Sequence, residues 1–199
     1  MLALLIAAPL VLTAPGDLSP SASLDAELSA ELNAERQRLR PWHIAFGNIA
    51  WASTTITTIL GVLQFRDRFG RFDSESNTPC ARGNAIIPSA CEDVPLPHAI
   101  SATIALSMYT AVFSIGAVMP DPAGLAESPG TYGRRLRRHK ALRWVLLGMM
   151  VMQTALGAIS ANLNDFETRR AIAGVHLGLG LATWSTMFAT GIYGSLLAY

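Results

Sequence analysis

The sequence predicts an all-α membrane protein whose four transmembrane helices form an up-down-up-down bundle. Apolar residues make up 51% of the 199-residue chain and charged residues only 15%, whereas about a quarter of the residues in a soluble domain are charged. The apolar residues are grouped in four long runs, each close to the 20 or so residues that a helix needs to cross a bilayer. Loops of short or moderate length join the runs, which favours antiparallel neighbours.

Residues 1–16 are predicted to be a signal peptide or an apolar N-terminal segment. The apolar stretch Met1–Ala14 is too short to cross a bilayer but has the length of a signal-peptide core. The small residues Ala14-Pro15-Gly16 suit cleavage before Asp17, although no Lys or Arg precedes the apolar stretch.

Residues 17–40 are predicted to contain a linker and an amphipathic helix. Ser23 is a candidate cap for a helix over residues 24–39. Leu24, Leu28 and Leu32 form one apolar stripe on that helix. We expect the helix to lie at the membrane surface.

Residues 41–199 are predicted to form the four-helix bundle. Pro41 suits the first turn of the first span, and Trp42 suits the membrane interface. The predicted spans are residues 41–65, a stretch within 94–120, residues 142–164 and residues 171–199. A polar loop with Cys80 and Cys91 separates the first two spans, and a loop over 121–138 that ends in the basic run GRRLRRHK separates the next two. No internal repeat is evident.

The chain has four histidines, one near the start of each span: His43, His98, His139 and His176. Because the spans alternate in direction, His43 and His139 are expected near one face of the membrane and His98 and His176 near the other. The members of each pair lie on diagonal helices, so both can point across the bundle interior. This is the geometry of two axial ligands that hold one flat cofactor, and it occurs twice.

Small residues continue the histidine faces, which leaves room for a large group or lets the helices pack closely. They are Gly47, Ala50, Thr54, Thr58 and Gly61 after His43, and Gly180, Thr183, Gly191 and Gly194 (with Met187 among them) after His176. Imidazole binds iron, copper and zinc, and pairs of histidines with no carboxylate inside the spans suit haem iron best. We therefore predict two haem b groups. The nearby cations Arg40, Lys140 and Arg143 are candidates for binding the haem propionates, although such residues also flank ordinary spans.

This pattern resembles the cytochrome b561 family. The resemblance covers Trp42 to Tyr199 and is carried by the four histidines, with Arg138-His139-Lys140 and Gly174-Val175-His176 around two of them. It implies two haem b groups, one held by His43 and His139 and the other by His98 and His176, and electron transfer across the membrane. The chain departs from animal and plant members in having only the four core spans and no clear ascorbate-binding motif. A quinone or another redox protein is then a candidate electron partner.

Two other functions stay open. The first is a membrane scaffold or complex subunit without haem. The second is a thiol–quinone oxidoreductase that uses Cys80 and Cys91, although such a relay would lack its second cysteine pair. A net charge of +1 gives no basic excess for nucleic acid.

The predicted location is the bacterial cytoplasmic membrane, as a multi-pass protein, and the two signals for its orientation disagree. A cleaved signal peptide would place Trp42 outside the cytoplasm. The arginines near His43 and His139 favour the cytoplasm for that face. That second orientation would also place Cys80 and Cys91 where a disulfide persists.

Overall fold

The structure, a computed structural model, describes residues 20–70, 73–92 and 94–197, with side chains from residue 24 onward. The predictions for residues 1–16 therefore lie outside the described residues. The four long helices are α1 (Pro20–Phe69), α2 (Leu96–Val118), α3 (Thr131–Ala161) and α4 (Phe166–Ser195). Two short 3-10 helices, Glu75–Asn77 and Pro88–Cys91, lie between α1 and α2, and the described residues include no strand. All four long helices are long and apolar enough to cross a membrane, so the prediction of an all-α chain with four such helices is confirmed.

The four helices pack side by side. Helix α1 packs against α2 and α4, and α3 packs against α4. Helices α2 and α3 meet where the Tyr109 hydroxyl donates a hydrogen bond to the Arg143 carbonyl, and Trp184 Nε1 donates to Thr55 Oγ1 at 3.0 Å between α4 and α1. The buried core lies midway along the helices and consists of Ala50, Tyr109, Leu146, Met150 and Met187.

Helix α1 is one continuous helix of 50 residues that runs through Pro41. The predicted helix boundary at residues 40 and 41 is therefore wrong, and Ser23 lies inside the helix rather than at its cap. Proline removes one hydrogen-bond donor but already has a helical φ, and the Ala, Leu, Glu and Arg residues that precede it are good helix formers. At 1.5 Å per residue α1 is about 75 Å long, more than twice the roughly 30 Å of a bilayer core.

Helices α3 and α4 begin earlier than the sequence predicted. The basic run GRRLRRHK is helical, because α3 begins at Thr131 rather than near residue 142. Helix α4 begins at Phe166, directly after Asp165, whose side chain accepts a hydrogen bond of 2.7 Å from the Thr168 N–H. This N-cap satisfies one of the free donors at the helix start, which is why α4 extends five residues before its apolar run.

The loop after α1 is folded around a buried carboxylate and a disulfide. Asp67 is fully buried. Its Oδ1 accepts from Arg66 at 2.6 Å, and its Oδ2 accepts from the Ile87 N–H at 2.8 Å. Cys80 and Cys91 form a disulfide, and the Cys80 N–H donates to the Asp67 carbonyl at 2.9 Å. The loop is therefore tied to the end of α1 at several points.

Asp121 ties the loop between α2 and α3 to two helices. Its carboxylate accepts from the N–H groups of Leu125 and Ala126, each at 3.0 Å. It also lies 3.3 Å from Arg36 Nη1 on α1 and 3.3 Å from Lys140 Nζ on α3. Burial raises the pKa of Asp121, but the two N–H groups and Lys140 together outweigh burial, so the pKa lies below its ordinary value.

Replacing Asp121 with alanine is expected to destabilise this loop by about 1–3 kcal/mol, because two part-buried N–H groups lose their acceptor. In the unchanged protein the carboxylate stabilises the loop above the ordinary aspartate pKa of about 3.9, and this contribution is lost as the pH falls through the lower folded pKa. Amide hydrogen exchange of Leu125 and Ala126 measures both effects. Asp25→Ala, at an exposed position on α1, is the control, and full protection in Asp121→Ala would contradict the prediction.

Candidate functional site: two histidine pairs

Each of the four long helices carries one histidine. His43 lies on α1, His98 on α2, His139 on α3 and His176 on α4, and all four side chains are half-buried. His43 and His139 lie at one level of the four helices, whereas His98 and His176 lie at a second level about 27 Å away along the axes. Neighbouring helices are antiparallel, because the early part of each helix lies beside the late part of its neighbour.

The structure brings the histidines together in two pairs. The ring centres of His43 and His139 lie 6.1 Å apart with an angle of 69° between the ring planes. Those of His98 and His176 also lie 6.1 Å apart, at 73°. The members of each pair come from diagonal helices, so each pair spans the space between them. The same geometry therefore occurs at both ends of the four helices.

The 6.1 Å separation is slightly below that of two imidazoles on opposite sides of one metal ion. Two metal–nitrogen bonds of about 2.0–2.1 Å, plus about 1.1 Å from each ring centre to its nitrogen, give ring centres roughly 6.2–6.4 Å apart. Ordinary edge-to-face contacts between aromatic rings cover about 4.5–7 Å, so the distance fits a metal without requiring one. The surroundings of the rings carry the argument further.

A glycine follows each histidine by 18 residues in its own helix: Gly61, Gly116, Gly157 and Gly194. Eighteen residues are five helical turns, so histidine and glycine share one helix face and lie about 27 Å apart along the axis. Since neighbours are antiparallel, each glycine lies beside the histidine of the next helix. The pairs are His43 with Gly116, His98 with Gly61, His139 with Gly194 and His176 with Gly157.

The four helices share this register between the histidine and the glycine. The residues 7 and 11 positions after each histidine are all buried; they are Ala50, Ala105, Leu146 and Thr183, and Thr54, Tyr109, Met150 and Met187. The residue types at these positions differ from helix to helix, but their burial follows the same spacing. The middle of the bundle is packed, and the histidine levels on either side of it are lined by glycine.

Backbone carbonyls face the Nδ1 atoms of the histidines. His139 Nδ1 donates to the Thr190 carbonyl at 3.2 Å. The equivalent carbonyl, four residues before each glycine, faces the other three rings; it belongs to Val112, Thr57 and Gln153. Those three Nδ1 atoms are buried without completing a hydrogen bond. A proton held on Nδ1 by a carbonyl leaves Nε2 as the free nitrogen, which is the tautomer that binds a metal.

Arg143 is a cationic candidate that lies beside the His43/His139 pair. It lies one turn after His139, and its Nη1 donates to the Gly116 carbonyl at 2.5 Å. The guanidinium lies 5.6 Å from the ring centre of Phe113 and 5.8 Å from that of Trp144. Its Nε is buried without a hydrogen-bond partner. A buried donor without an acceptor is costly, so Nε offers a hydrogen bond to an anionic ligand.

The other two cationic candidates lie near the histidines along the chain. Lys140 follows His139 directly and pairs with Asp121 in the loop before α3, and Arg40 lies three residues before His43 and is exposed on α1. Arg143 contacts Gly116, the glycine that lies beside His43.

Comparison of the chain with protein-family models, with curated proteins and with solved structures found no match. Within the residues that the structure describes, no group of three or more His, Cys, Asp or Glu could hold a metal ion. Each histidine pair thus offers two imidazoles, which hold a metal only when another ligand fills the remaining positions between the rings.

The glycines are the site residues that sequence reasoning missed as a set. Gly61 and Gly194 were included in the small-residue faces, but Gly116 and Gly157 were not. The equal spacing of 18 residues after every histidine is visible in the sequence. It becomes informative when the four helices are aligned on their histidines.

Proposed function

We propose that this chain is a di-haem b membrane cytochrome that transfers electrons across the bilayer, as its resemblance to the cytochrome b561 family implies. One observation carries the proposal: two histidine pairs with ring centres 6.1 Å apart, at opposite ends of the same four helices. His43 and His139 would hold one haem, and His98 and His176 the other. Haem iron, when bound, supplies one-electron redox chemistry.

The ligand set favours haem over an ion held by the protein alone. A structural zinc site has four protein ligands and a catalytic one usually three, whereas each pair here offers two imidazoles. A porphyrin would supply the ligands that the protein lacks. With two histidines bound to each iron, the site would suit electron transfer rather than the binding of oxygen.

The protein's own residues fit this role. The carbonyl of Thr190 accepts a hydrogen bond from His139 Nδ1, which would leave Nε2 as the nitrogen that binds a metal. The unpartnered Nε of Arg143, near the His43/His139 pair, is placed to bind a propionate. Lys140, which pairs with Asp121, and Arg40 are the other two candidates for the propionates.

The spacing of the two pairs matches a bilayer. They lie about 27 Å apart along the helix axes, close to the hydrocarbon thickness of about 30 Å. In an up-down-up-down transmembrane bundle, one pair would then lie near each membrane face. Two redox centres at those levels divide the distance that an electron must cross.

We propose that the His43/His139 end faces the cytoplasm of a bacterial cell. The disulfide between Cys80 and Cys91 favours an oxidising compartment for the opposite end. Basic residues favour the cytoplasm for the His43/His139 end; they include Arg36, Arg38, Arg134, Arg135, Arg137 and Arg138. The electron donor and acceptor would then meet the protein at its two ends, and a quinone or a redox protein suits either.

The two rival functions have less support. A thiol–quinone oxidoreductase needs a second cysteine pair, and the two cysteines of this chain are joined to each other. A scaffold without haem gives no reason for two matching histidine pairs in an apolar bundle.

Electron transfer is testable in vesicles. Purified protein is reconstituted into liposomes with ferricyanide trapped inside, and dithionite is added outside. We expect the trapped ferricyanide to be reduced faster than in protein-free vesicles, and the His43→Ala/His98→Ala variant to lose this gain. Equal rates in all three preparations would contradict transmembrane electron transfer.

A further inference from the structure

Each histidine ring lies against the backbone of a glycine on the neighbouring helix. A Cβ atom built on that glycine would lie 3.0 Å from His43 Cε1 at Gly116 and 3.2 Å from His98 Cε1 at Gly61. The corresponding distances to Cε1 are 3.2 Å for Gly157 and His176, and 3.3 Å for Gly194 and His139. Carbon atoms pack best at about 3.5–4.0 Å. A methyl group at any of the four positions would therefore push the imidazole away.

Three other glycines of α3 and α4 provide the contrast, whereas Gly133 and Gly180 on the same helices face the Ser128 carbonyl and the Gln153 side chain. A Cβ atom on Gly148, Gly178 or Gly191 would meet no atom within 4 Å. Alanine is the better helix former, but at the four positions opposite a histidine its methyl group would take space that the ring occupies.

The contacts have one further regularity. The glycine lies four residues after the carbonyl that faces the same histidine's Nδ1, as Gly194 follows Thr190. One turn of the neighbouring helix therefore contacts the ring at two points. Its carbonyl faces Nδ1, and the backbone of its glycine lies next to Cε1. With Cβ fixed by its own helix, these contacts set the direction of Nε2.

We propose that Gly61, Gly116, Gly157 and Gly194 are positioning residues, each of which sets the orientation of the imidazole on the neighbouring helix. Their effect on a bound haem rests on the proposed function, but the effect on the imidazole itself does not. Gly61 lies on the helix of His43 but positions His98, about 27 Å from His43 along the axis. Replacing Gly61 should therefore disturb the distant pair and spare the histidine of its own helix.

The first measurement needs no haem. Protein labelled with 13C at histidine Cε1 gives four ring signals in detergent, each assigned by single histidine replacement. We expect Gly116→Ala to displace the His43 signal and Gly61→Ala to displace the His98 signal, each by more than a line width. Gly148→Ala and Gly191→Ala are matched controls on α3 and α4 and should displace neither.

The second measurement uses protein loaded with haem. Low-temperature electron paramagnetic resonance of the oxidised protein should show one low-spin signal for each haem. The signal of the first pair is the one that His43→Ala abolishes. It should shift in Gly116→Ala and stay unchanged in Gly61→Ala. The reverse should hold for the signal that His98→Ala abolishes. Gly194→Ala, which touches His139 of the first pair, gives an independent test should Gly116→Ala not fold.

The outcomes separate the two proposals. Displaced ring signals in the predicted pairs support the positioning role even when the wild-type chain binds no haem, in which case the proposed function alone fails. Ring signals that stay in place, or that move as much in Gly148→Ala and Gly191→Ala, overturn the positioning role whether or not haem is bound.

Discussion

Replacing His43 with alanine is expected to reduce the haem content from two groups per chain to one. The imidazole of His43 lies 6.1 Å from that of His139, and its loss would leave a single protein ligand for that haem. The second pair lies about 27 Å away along the helix axes, too far to be disturbed through direct contact. A haem assay per chain and the reduced absorption spectrum measure the effect, with Asn48→Ala, an exposed position on α1, as the control.

Double replacements test which histidines work together. Loss of His43 and His139 together should remove no more haem than loss of His43 alone, because both ligate the same group. Loss of His43 and His98 together should remove both haems. Haem losses that do not add within a pair but do add between pairs are expected for two independent sites. If the His43/His139 double variant lost both haems, the pairing would be wrong.

Replacing both Cys80 and Cys91 with serine is expected to loosen the loop after α1. The disulfide links residues separated by 11 positions, and closing a loop of that size stabilises the folded state by about 3 kcal/mol. Exchange rates of amide protons within the loop should therefore rise about 100-fold, since about 1.4 kcal/mol corresponds to a factor of ten. Hydrogen exchange of residues 78–91 measures this.

The effect should remain local. Asp67 still accepts from the Ile87 N–H, so the loop keeps one attachment to α1, and the core around Leu146 is far from the loop along the helices. We therefore expect unchanged exchange at Leu146 and two haems per chain. Unchanged protection of the loop would contradict a stabilising role for the disulfide.

The four long helices followed from the sequence because apolar length is a direct signal. Their boundaries did not. Pro41 can begin a helix or lie within one. Because strong helix formers precede it, α1 continues through Pro41. The basic run before His139 was predicted to end the second loop, but arginine is a good helix former, and the run lies in α3 instead.

The site was partly visible in the sequence. One histidine per span, with alternating span direction, is enough to place His43 near His139 and His98 near His176. The role of Gly116 was not visible, because it depends on which residue of α2 lies opposite His43. The buried carboxylate of Asp67 was missed for the same reason: its partner Ile87 is 20 residues away in an irregular loop.

The most direct test of the central claim is a haem assay on the purified protein together with its absorption spectrum, oxidised and dithionite-reduced. The account predicts close to two haem b groups per chain and the sharp reduced bands of six-coordinate haem in both. Colourless protein from cells well supplied with haem would contradict the claim, and a membrane scaffold would then be the better description of this chain.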